Sequence, residues 1–121
     1  MGAFCAYRWP SGRTAPRSVI TSSFDDVLAT GELFFIYDDD RMALDNGSID
    51  SITLSVEIAG SEIFSTSISV GTFSFDFSNS VLTQIQANQN TVAIILCVED
   101  EDNETDCFTL DNGVAVGKGT M

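Results

Sequence analysis

A chain of 121 residues and 13.0 kDa has room for one domain and no second core. With 44% hydrophobic and 19% charged residues and a mean hydropathy of +0.15, it carries enough apolar mass to fold, which excludes wholesale disorder. Five Lys and Arg stand against eighteen Asp and Glu, for a net charge of −13, and there is no histidine; imidazole chemistry is excluded and no basic body is left to bind nucleic acid.

The charge is unevenly placed. Residues 1–17 hold Arg8, Arg13 and Arg17 and no acid, a local +3, whereas the rest of the chain sets Arg41 and Lys118 against all eighteen acids, a net of −16. The same first segment carries Phe4, Tyr7, the single Trp9 and both prolines, Pro10 and Pro16, with neither helical nor alternating period. It reads as an extended arm, residues 1–17. Aromatic and arginine side chains dominate binding hot spots, so Phe4, Tyr7, Arg8, Trp9, Arg13 and Arg17 are the candidate partner-binding residues. Two acceptors suit them: the arm's own acidic domain, or another subunit. The start of the chain has no apolar stretch of signal-peptide length, and the apolar run Val92 to Val98 is far below a membrane span, so no membrane partner is expected.

From Val19 onward the chain reads as strands. Glu32 to Tyr37 is a short apolar run bounded by Gly31 and by Asp38-Asp39-Asp40, as for a strand buried on both faces. Ile52, Leu54, Val56 and Ile58 alternate with Thr53, Ser55 and Glu57, the period of a half-buried strand. Alternation resumes with Phe64, Thr66, Ile68 and Val70 and again with Phe73, Phe75 and Phe77, and the intervening glycines Gly60 and Gly71 suggest a three-stranded meander. The outward positions Thr53, Ser55, Ser65, Ser67, Ser69 and Ser74 suit either solvent or a packed neighbour. Within Ser78 to Asn90, Val81, Leu82 and Ile85 fall at helical spacing behind Ser78 or Ser80 as N-cap, which predicts one short helix connecting the sheets. Thr91 to Val98 is β-branched and nearly all apolar, the best candidate for a central strand, with Cys107 to Leu110 returning beside it.

These elements predict an all-β domain over residues 18–112. The expected form is a single antiparallel β-sandwich, immunoglobulin-like or jelly-roll-like, preceded by the arm and followed by a glycine-rich tail over residues 113–121. A true immunoglobulin domain is not expected, because Ile95 stands where the tyrosine corner has its Tyr and Cys97 has no early-strand partner.

Four motifs invite chemistry. Glu99 to Asp106 places six acids in eight residues, and Asp100, Asp102 and Glu104 are its candidate ligands for a hard cation; the loop lacks the glycine and flanking helices of an EF-hand, and a solvated hairpin tip is the simpler reading. Asp45-Asn46-Gly47 and Asp111-Asn112-Gly113 echo the paired motif of aspartic proteases, but Asn replaces the hydroxyl residue and both suit tight turns. Asn46-Gly47-Ser48 and Asn103-Glu104-Thr105 match the glycosylation triplet by chance. Three cysteines are too few for a disulfide scaffold and suit a reducing compartment, although Cys97 and Cys107 flank one turn and can be bridged across a hairpin. With acids but no base to activate a nucleophile, no enzyme and no cofactor are expected.

In texture the chain resembles the small virion accessory proteins of tailed bacteriophages, such as capsid decoration (cement) proteins and small tail or connector components. The likeness rests on the arm Met1 to Arg17, the Ser/Thr-rich stretch Ile52 to Phe77 and the acidic tip Glu99 to Asp106. It implies a structural protein that binds its own copies and a capsid or other virion lattice protein, often as a trimer or other cyclic oligomer, located in the virion after assembly in the host cytoplasm. A carbohydrate- or calcium-binding β-sandwich module is the alternative reading.

Overall fold

The computed structural model describes residues 16–39 and 49–113. In chain order the elements are β1 (Pro16–Ile20), α1 (Phe24–Thr30), β2 (Glu32–Asp39), β3 (Ile49–Ile58), β4 (Ser61–Ile68), β5 (Ser74–Asp76), α2 (Asn79–Ala87), β6 (Val92–Asp100) and β7 (Thr105–Leu110). They form two antiparallel sheets, one of three strands in the order β1-β2-β5 and one of four in the order β4-β3-β6-β7. The fold is mostly β and sandwich-like.

Alternation decides which side chains enter the core. Ile52, Leu54 and Val56 from β3 and Val92, Ile94, Leu96 and Val98 from β6 are all buried, and Ile20, Leu33 and Phe35 meet them from the three-stranded sheet. Each such side chain contributes about 1.5–3 kcal/mol on burial. The apolar run around Ile94 forms β6, an interior strand between β3 and β7.

Three expectations are corrected. β2 is not buried on both faces: Leu33 and Phe35 point inward, but Phe34 and Ile36 are 48% and 54% exposed. The meander breaks after its second strand, since β3 and β4 form a hairpin but Ser74–Asp76 crosses to the other sheet and pairs with β2. The crossing is fixed by Tyr37, whose hydroxyl accepts from the Gly71 amide (2.7 Å) and donates to the Thr72 carbonyl (3.1 Å) while its ring stacks on Phe73 at 4.8 Å. Beyond the crossing, Phe75 and Phe77 turn inward beside Phe64.

The third correction is a second helix. In α1, Ser23 Oγ accepts from the Asp26 amide (3.1 Å), and Asp25 and Asp26 lie in the first turn, where the helix dipole favours acids. Gly31 ends it at φ +74°, and a Cβ there would lie 2.9 Å from Leu82 Cδ2 of α2, so both the left-handed turn and the close approach call for glycine. Ser78 caps α2, which links β5 of one sheet to β6 of the other. Phe24 and Val27 of α1 and Val81 and Ile85 of α2 join the common core.

Candidate interaction surfaces

The outer face of the three-stranded sheet collects the outward residues of β1 and β2. Register places Val19 opposite Ile36 and Phe34 opposite Ser74, so Val19 (41% exposed), Ile36 and Phe34 form one apolar ridge. Isolated exposed apolar residues are ordinary, and a contiguous set on a regular face is a candidate contact surface. A depression of about 270 Å³ lies beside it, lined among the described residues by Arg17, Val19, Ile36 and Tyr37. Both ends of the ridge are charged. Arg17, exposed and opposite Asp38, stands at one end, and Glu32 pairs with Asp76 at the other.

The outer face of the four-stranded sheet has a different chemistry. Ser65 and Ser67 of β4, Thr53 and Ser55 of β3, Ile95 and Cys97 of β6, and Cys107 and Thr109 of β7 share it. Cys97 and Cys107 are directly opposed, with Cα atoms 4.0 Å apart, and form a disulfide. The bond clamps β6 to β7 across the acidic tip.

That tip is organised by Asp100, which is fully buried. Its Oδ1 accepts from the amides of Asp102 and Glu104, both at 2.9 Å, and Asn103 takes the left-handed conformation at φ +66° that closes the turn. Asp100 therefore shapes the hairpin from inside, while Asp102 is exposed and Glu104 half-buried. Among the described residues no three His, Cys, Asp or Glu side chains are grouped to hold a metal ion.

One structural contact gave no signal in the sequence. Asp106 Oδ2 accepts from the Ser18 amide at 2.7 Å and from the Ser18 hydroxyl at 3.2 Å, and Ser18 itself is buried. This pair, 88 residues apart, ties β1 to β7 and so holds the ridge-bearing sheet against the four-stranded one. Nothing in the local sequence of either residue announces it.

Of the candidate partner-binding residues, Phe4, Tyr7, Arg8, Trp9 and Arg13 lie outside the described residues, as do Asp40 and Asp45-Asn46-Gly47. Arg17 belongs to β1 and is the only Lys or Arg among the described residues. Gly113 adopts φ +82° and its amide donates to Asp111 Oδ1 at 2.8 Å, so this Asp-Asn-Gly is a turn. No helix among the described residues is long and apolar enough to cross a membrane. No protein-family model, curated protein or solved structure matches the chain.

Proposed function

We propose that this chain is a non-enzymatic structural protein of a viral particle, a phage capsid decoration or cement protein that docks on a capsid or other virion lattice protein through its N-terminal segment. In this reading the two-sheet body is an immunoglobulin-like or jelly-roll-like sandwich, and copies associate with one another as well as with the lattice. The supporting observation is segregation of charge. Arg8 and Arg13, interleaved with Phe4, Tyr7 and Trp9, precede a body whose described part carries one cation, Arg17, among many carboxylates. A segment of that composition supplies aromatic anchors and arginine forks to an acidic acceptor. The acidic body repels its neighbours and packaged DNA except where contact is specified.

The test uses gradient-purified particles of the virus that encodes the chain. Wild-type protein sediments with them in many copies, and a full-length variant with Tyr7, Arg8, Trp9 and Arg13 replaced by Ala stays in the supernatant. Absence of the wild-type chain from particles, or full occupancy by the variant, overturns the reading.

A further inference from the structure

We propose that Cys97 and Cys107 form a redox-operated clamp on the joint between the two sheets, and so on the edge strand from which the N-terminal segment departs. β7 is an edge strand of the four-stranded sheet, and β1 is an edge strand of the three-stranded one. Consecutive residues of β7 serve the two roles. Cys107 turns outward to Cys97, while Asp106 turns the other way and accepts from the Ser18 amide at 2.7 Å and the Ser18 hydroxyl at 3.2 Å. The disulfide pins β7 one residue away from the carboxylate that holds β1.

The bond is added to an arrangement that other contacts already specify. The β6–β7 ladder runs from Ile94 opposite Leu110 to Glu99 opposite Thr105, Asp100 closes the turn, and Phe108 and Leu110 pack against the core. These contacts keep the two sulfurs opposed in the dithiol form, so neither state requires refolding. What changes is fraying. With the bond closed, β7 cannot lift from β6 at its middle; with it open, an edge strand paired on one side only opens locally and withdraws Asp106 from Ser18. The Ser18 amide is donated to Asp106, whereas the Thr21 amide is donated to the Phe34 carbonyl of β2 at 2.9 Å. Ser18 therefore reports the joint, and Thr21 the pairing within the three-stranded sheet.

Thiol–disulfide exchange with an external dithiol operates the clamp. Cys107 is exposed and Cys97 half-buried, so a reductant thiolate reaches Cys107 Sγ first. The attack forms a mixed disulfide at Cys107 and expels Cys97 as a thiolate, which takes up a proton. The second thiolate of the reductant then attacks its own sulfur in the mixed disulfide, expels Cys107, which is protonated in turn, and leaves the reductant as a disulfide. A small-molecule disulfide reverses the exchange and is itself reduced to two thiols. The chain is loose at this edge in a reducing compartment and clamped in an oxidising one. This coupling goes beyond the docking proposed above and does not depend on it.

Amide hydrogen exchange on the full-length chain, first oxidised and then reduced with dithiothreitol, tests it. Reduction speeds exchange at Ser18 roughly 10-fold or more and leaves Thr21 unchanged, and oxidised glutathione restores the slow rate. In Asp106→Ala the Ser18 amide exchanges fast in both states, whereas a bond that acts on overall stability alone predicts the same response to reduction with and without Asp106. Circular dichroism confirms that each form is folded. Equal rates at Ser18 in the oxidised and reduced wild-type chain overturn the proposal. So does an acceleration shared by Ser18 and Thr21, unfolding on reduction, or a bond that millimolar dithiothreitol leaves intact in the folded protein.

Discussion

The two sheets share one core but turn different outer faces to solvent. On the four-stranded sheet the outward positions are mostly small hydroxyl residues that cost little to hydrate, Thr53, Ser55, Ser65, Ser67 and Thr109, with Ile95 and Glu57 among them and a disulfide holding β6 to β7. On the three-stranded sheet they are Val19, Phe34 and Ile36, between Arg17 at one end and Glu32 with Asp76 at the other. Leaving apolar surface in water forgoes about 25 cal/mol per Å², so a sheet that exposes it has a use for it or a neighbour to cover it. Strand alternation alone determines which residues face outward; what those residues are distinguishes a hydroxyl-rich face from a candidate contact face.

The sharpest break in that comparison comes from removing the disulfide from one face. Replacing both Cys97 and Cys107 by Ser should lower unfolding free energy by about 2.5 kcal/mol in denaturant titration and leave Ser18 exchanging as in the reduced protein. Asp106→Ala tests the joint between the sheets: losing a carboxylate that accepts from the buried Ser18 amide should cost about 2 kcal/mol. It should also leave that amide in fast exchange whether Cys97 and Cys107 are oxidised or reduced. A smaller effect is expected from Ser23→Ala, which removes the α1 cap beneath neither face and should cost about 1 kcal/mol in the same titration, with Ser18 exchange unchanged. The smallest belongs to Phe34→Asp, half-exposed on the other face, which should move unfolding free energy by no more than about 0.5 kcal/mol and keep the Ser18 response to reduction. A loss equal to that of the cysteine pair would erase the distinction.

Legibility in the sequence follows the same division. The hydroxyl-rich face made β3 and β4 easy to read, because apolar-in and polar-out residues alternate visibly through Ile52, Leu54 and Val56. Glu32 to Tyr37 reads as a strand, but the exposure of Phe34 and Ile36 does not show, because apolar residues on both sides of a strand look the same as burial on both sides. Helix α2 had enough length for its period to show, whereas α1, with seven residues, had only its end signals, Ser23 and Gly31. The Cys97–Cys107 pairing needed only the hairpin register, which the short acidic tip supplies. The Ser18–Asp106 link depends on how two sheets meet, and no local pattern encodes that.

The claim that the disulfide on the outer face of one sheet steadies the edge of the other can be tested residue by residue with the ratio of amide exchange rates, reduced over oxidised. The account predicts a ratio of about 10 or more at Ser18 and along β7, and about 1 at Thr21, Phe34 and Phe35 in the three-stranded sheet. A uniform rise across both sheets, or none at Ser18, would contradict it.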